Sequence, residues 1–262
     1  SGTGPLIRSG PVDSWLLGVV LLLVLSGEIL VFNTTYFYAS DRYDDPYVFV
    51  WKHNIALGLG ILGSFVVVAL PSTVYRKLAY PILLVAVGSL LLVLLYDVGP
   101  GRVHRWISFG SFNFQPSELA KGAVVLYCAS ALTKKAGRID SFVDGLLPPL
   151  LVVGSVAVLI GLEPDMGGAV FVCLLFAALI FVAGARVRHL ALLSGLGLFC
   201  LALGIFSAGY RAERFFAFLN QSSDLRGAGY QLHQSLLAFG AGGVNGVSLG
   251  ESRQKMFYLP EA

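Results

Sequence analysis

Residues 146–184 read LLPPLLVVGSVAVLIGLEPDMGGAVFVCLLFAALIFVAG, and the only charged side chains among them are Glu163 and Asp165. Two apolar runs therefore meet at a turn that carries two carboxylates. A membrane crossing needs about 20 mostly apolar residues. Lipid offers no partner to an open strand, so such runs are expected to be helices.

Working outward, the same pattern recurs at 14–32, 48–70, 79–97, 117–133 and 189–209, which with 146–161 and 167–184 makes seven expected spans. Composition agrees: 56% of residues are hydrophobic, 13% are charged and the mean hydropathy is +0.78. A water-soluble domain carries roughly twice that share of charge. The expectation is an all-α, polytopic membrane helix bundle of one domain over 1–262. The first span has no basic leader before it and no small-residue cleavage site after it, so it reads as a resident helix.

Charge orients the chain. With a cytoplasmic N-terminus, Arg8, Arg76, Lys77, Lys134, Lys135, Arg138, Arg186 and Arg188 fall inside, while outer loops keep only Arg42, Arg102 and Arg105 among several acids. The net charge of +3 is then a topology signal and not a mark of nucleic-acid binding. Cys128, Cys173 and Cys200 lie inside spans without paired spacing and read as small apolar residues. Histidines 53, 104, 189 and 233 form neither a zinc pattern nor a hydrolytic triad.

This topology leaves 210–262 outside as a large extracytoplasmic loop, too long to be an idle connection. Its mixture of aromatic and basic residues suits a partly helical segment lying along the membrane interface. Glycines 240, 242, 243, 246 and 250 can form a hinge or an anion-binding nest. No Gly-Lys-Ser/Thr follows them, so no nucleotide site is expected.

Ionisable groups at membrane depth are costly and are usually paired or functional. Glu118 and Lys121, three apart at the head of the fourth span, share a helix face and can pair, either as a buried structural pair or lining a polar cavity. Trp106 reads as an interfacial anchor, Pro116 as a first-turn residue, and Gln115 or Ser117 as a cap. Glu163 and Asp165 can serve as general base, metal ligands or, for Asp165, helix cap.

In ordered motifs the chain resembles the SEDS family of shape, elongation, division and sporulation proteins. The motifs are Arg105-Trp106-Ile107, Phe114 to Lys121, Glu163 to Gly168, Arg214 to Phe218, Gly227 to Gln231 with Gln234-Ser235, and Gln254 to Ala262. The ending resembles the division branch more than the elongation branch. The resemblance implies a peptidoglycan glycosyltransferase of septal wall synthesis that polymerises lipid II at the outer face of the bacterial cytoplasmic membrane. It implies a divalent metal (Mg or Mn), no nucleotide, a class B penicillin-binding transpeptidase as partner and other division-machinery membrane proteins nearby. Glu118, Lys121 and Asp165 would support catalysis. Arg105, Trp106, Gln115, Ser117, Glu163, Arg211, Arg214, Gln231, Gln234 and Lys255 would contact substrate.

The family has about ten spans, and its main catalytic Asp follows the motif that here stops at Ala262, so the resemblance implies a truncated and inactive chain. A lipid II flippase, an elongation-type polymerase and a non-catalytic scaffold remain alternatives.

Overall fold

The computed structural model describes residues 13–96, 105–109, 112–206 and 229–247, with isolated positions 209, 212, 213 and 216. Eight α-helices are found there: α1 (Ser14–Tyr43), α2 (Val48–Ala69), α3 (Ser72–Tyr96), α4 (Pro116–Lys134), α5 (Leu147–Leu162), α6 (Met166–Val182), α7 (Val187–Phe206) and α8 (Tyr230–Gly242). Each of the seven expected spans coincides with a helix. Five are both long and apolar enough to cross a membrane, α5 when taken with the helical segment Phe142–Leu146 that runs into it; α6 is apolar with 17 residues, and α4 carries Glu118, Lys121 and Lys134. The all-α architecture holds, with one addition. Strands β1 (Ile107–Phe109) and β2 (Phe112–Phe114) pair antiparallel, Ile107 opposite Phe114, just ahead of α4.

The chain forms two compact units, 1–67 with 213–262, and 68–212. In the first, α1 outruns its expected span by eleven residues. Thr34 and Thr35 would be expected to weaken a helix by competing for backbone groups. Here their hydroxyls donate back to the carbonyls of Leu30 and Val31, at 2.8 Å each, and the helix continues. The apolar windows of α1 and α2 bury nothing within the protein. That is the pattern of helices whose outer surface faces lipid.

The second unit is built on α4. Ala120, Ala123, Val124, Tyr127, Cys128 and Ala131 are buried, and their small side chains let neighbouring helices come close. Leu83, Ala86 and Leu90 of α3, Val153, Val156 and Ile160 of α5, and Val172, Phe176 and Ile180 of α6 complete this core. Cys128 is buried as expected, whereas Cys173 and Cys200 are exposed on apolar helices; all three are free thiols.

Helix starts follow local chemistry. Pro116 opens α4, and α5 likewise begins with proline at its first positions, where the missing N–H costs nothing. The Asp165 carboxylate caps α6 by accepting the Gly168 N–H at 2.9 Å.

Candidate functional site

Three segments of the second unit converge at one end of its helices: the residues before β1, the head of α4, and the α5–α6 turn. Arg105 supplies the first link. Its Nε donates to the Glu163 carbonyl at 3.0 Å and its Nη2 to the Pro164 carbonyl. The guanidinium thus grips the main chain of the turn.

Ser117 supplies the second link. Fully buried in the first turn of α4, it donates its hydroxyl to Asp165 Oδ2 at 3.4 Å and accepts from Gln115 Nε2 at 2.9 Å. Neither residue caps α4, contrary to expectation. Gln115 holds the cap position without a side-chain cap bond, and its amide is spent on Ser117. Asp165 meets the cap reading and adds the bond to Ser117, which joins the heads of α4 and α6.

One turn deeper, Lys121 Nζ lies 2.6 Å from Glu118 Oε1 and 5.2 Å above the ring of Phe171 in α6. The pair forms as the spacing implies, but it is not buried: the Glu118 side chain is 60% exposed. Exposed pairs are worth under about 1 kcal/mol. Phe171 was not foreseen, because an apolar residue in an apolar helix carries no signal of the cation across from it. Trp106 is 42% exposed, in keeping with an interfacial anchor.

Glu163 is the outlier. It is 1% exposed, and neither carboxylate oxygen has a hydrogen-bond partner. Burial, with the Asp165 carboxylate beside it, pushes its carboxyl up to about 7, while Arg105 pulls the other way. So deep a side chain is in no position to reach a substrate directly.

In the first unit, Gln231 and Gln234 lie on α8, where the Gln231 carbonyl accepts the Ser235 hydroxyl at 2.9 Å. Arg211, Arg214 and Lys255 lie outside the described residues. A further polar cluster escaped the sequence reading. Glu28 of α1 lies 3.3 Å from both His53 Nε2 and Asn54 Nδ2 of α2. A carboxylate inside an apolar span was the signal that could have found it.

No three His, Cys, Asp or Glu side chains among the described residues come together as metal ligands. Asp165 already spends both oxygens, on Gly168 and Ser117, and Glu163 is enclosed. These residues do not fit a resident divalent ion.

Residues 13–262 match the family of cell cycle proteins that comprises FtsW, RodA and SpoVE. The chain belongs to that family. It is 36% identical to a probable peptidoglycan glycosyltransferase FtsW of Saccharophagus degradans, over 96% of this chain and 65% of the relative. It is equally similar, at 36%, to the stage V sporulation protein E of Bacillus subtilis, over 95% of this chain and 69% of that protein. The chain thus spans about two thirds of the length of the relatives it matches. In three dimensions it is similar to a chain of a peptidoglycan synthase complex described by its structural coordination of polymerization and crosslinking. There the TM-score is 0.60 at 32% identity, over 86% of this chain and 65% of that one. Family, helical membrane architecture and structural likeness therefore agree.

Proposed function

We propose that the protein to which this chain belongs is a peptidoglycan glycosyltransferase that polymerises lipid II during septal wall synthesis. The observation that carries this reading is the convergence of Arg105, Ser117, Glu118, Lys121, Glu163 and Asp165 at one end of a membrane helix bundle, in a family whose relatives bear that activity in their names. The reaction attacks the anomeric carbon of one lipid-linked sugar with the 4-hydroxyl of another and releases a lipid pyrophosphate. It needs positive charge beside the leaving group and a rigid frame that fixes both substrates.

Lys121 is the cation best suited to the pyrophosphate, because among the described residues its Nζ meets only one carboxylate oxygen and an aromatic face. Arg105 works differently. With donors spent on two carbonyls, it holds the α5–α6 turn in place. Ser117 and Asp165 lock α4 to α6 beneath the substrates. A divalent ion entering with the pyrophosphate belongs to the substrate in this reading.

The site faces outward on the basic-residue bias, and the protein sits in the bacterial cytoplasmic membrane, at the septum. A transpeptidase of the class B penicillin-binding type is the proposed partner, supported by the similarity to a synthase complex that couples polymerization with crosslinking. The equal likeness to a sporulation protein makes the spore-forming septum the second reading. Reconstitution of the full-length protein with labelled lipid II decides the activity. Glycan strands that fall at least tenfold in Lys121→Ala support the reading. Leaflet exchange of lipid II without polymer would replace it with a flippase.

A further inference from the structure

The geometry points to Glu163 as a positioning residue that works as the neutral acid, leaving Asp165 the lone negative charge at the head of α6 and Arg105 bound to the carbonyls of the turn. This rests on the glycosyltransferase reading and deepens it.

The argument begins with what Glu163 lacks. An ionised carboxylate closed off from water costs several kcal/mol unless paired. Here the side chain is 1% exposed and both oxygens are without donors. The nearest cation helps only in part. Arg105 reaches the same residue, yet it donates to the main-chain oxygens of Glu163 and Pro164 and forms no ion pair with the carboxylate. The other charged group beside it, Asp165, is repulsive. On α4, the helix packed against this turn, the facing residue is the uncharged Ser117. The Glu118 carboxylate and Lys121 ammonium there are bonded to each other at 2.6 Å. Among the described residues, only that guanidinium, already donating to two carbonyls, favours the charge of Glu163.

Protonation resolves the conflict, and the raised carboxyl agrees, lying at about 7. Deprotonation would have two effects on the turn. A second negative charge would appear two residues from Asp165, and the Arg105 guanidinium would be drawn from the carbonyls toward the new carboxylate. Either change moves Asp165, whose two oxygens hold Gly168 N–H and Ser117 in register. Glu163 thus acts through Asp165 and Arg105 and touches no substrate.

Glu163→Gln in the full-length protein is the test, since it keeps the shape and fixes the neutral state. Around a value of about 7, the neutral fraction falls from roughly nine-tenths at pH 6 to roughly one-tenth at pH 8. Polymerisation by the wild type should therefore lose up to roughly tenfold between those pH values through this group, and E163Q should lose that step. A second readout is independent of activity. Infrared difference spectra of the detergent-purified wild type should show a protonated-carboxyl carbonyl band at pH 6 that fades by pH 8 and is missing from E163Q. A wild-type pH profile in E163Q, failure of E163Q to fold, or no such band at pH 6 would each overturn the proposal. Were the protein no polymerase at all, the infrared result would stand unaffected.

Discussion

Two ends of the second unit solve the same problem, a carboxylate beside an arginine, in opposite ways. At the α5–α6 turn, Arg105 bonds the main chain and leaves the Glu163 carboxyl enclosed and unpartnered. At the opposite ends of α4 to α7, the Arg186 Nε donates to Asp140 Oδ1 at 3.0 Å, with both side chains well exposed. The directions of titration follow. Burial lifts the Glu163 carboxyl, whereas the Arg186 hydrogen bond holds Asp140 below the usual carboxylate range. The first arrangement wastes binding energy and the second gains a little. That inversion marks the α5–α6 turn as the end where geometry serves something besides stability.

Glycines sharpen the contrast most strongly. Gly145 lies within the connection from α4 to α5, where an added Cβ would meet the Arg138 carbonyl oxygen at 2.3 Å, a main-chain atom without room to retreat. At Gly168 the same Cβ would meet Asp165 Oδ2 at 2.4 Å, the end of a side chain that can swing away. Gly145→Ala should cost about 3 kcal/mol through overpacking and be seen as a lost folded yield in detergent. Gly168→Ala should cost only about 1 kcal/mol, the value of the broken cap, while activity collapses because Asp165 leaves Ser117. Size-exclusion profiles and polymerisation rates of the two variants separate these outcomes. An active Gly168→Ala protein would show that the position of Asp165 is not critical.

How much of this was open to reading in the sequence depends on what each feature needs. The spans were legible because an apolar run of the right length has one stable answer in lipid. The extension of α1 to Tyr43 was not, since the polar Thr34 and Thr35 lower hydropathy while their hydroxyls return to the helix. The β1–β2 hairpin did carry a signal, Gly110-Ser111 between alternating apolar residues, that was passed over among stronger ones. At the site, the i to i+3 spacing gave the Glu118–Lys121 pair but not its exposure, and the Asp165 cap but not its bond to Ser117. Spacing fixes neighbours on one helix. Burial and contacts between helices depend on packing that no local pattern encodes.

A smaller effect concerns Glu163 and stability. Its carboxyl is raised in the fold, so the ionised form is penalised. The cost is absent below about pH 4.5, grows with rising pH and is complete above about 7. The gap between 4.5 and about 7 caps it at about 3 kcal/mol, and relaxation of the site will reduce it. E163Q should therefore melt together with the wild type at pH 4.5 and above it at pH 8, the difference in Tm opening between those values. A constant difference across the range would mean that Glu163 holds its ordinary titration.

Asp140 provides the opposite sign and the smallest effect. Its carboxyl is lowered in the fold, first by the hydrogen bond from Arg186 and then by that charge, with His189 and Arg188 adding weakly. A carboxylate of this kind contributes stability above its ordinary range and loses it as pH falls through the lowered value, so its influence is present at neutral and alkaline pH and gone in acid. The pair is also exposed, where water screens the charges and two long side chains lose freedom on pairing. Asp140→Asn should therefore lower the melting curve slightly at pH 8, by less than E163Q raises it there, and melt together with the wild type at acid pH. Melting of Asp140→Asn and Glu163→Gln side by side at acid and alkaline pH tests both signs at once. Should Asp140→Asn shift Tm at pH 8 as much as Glu163→Gln, exposure would not separate the two carboxylates, and the contrast between the two ends would fail.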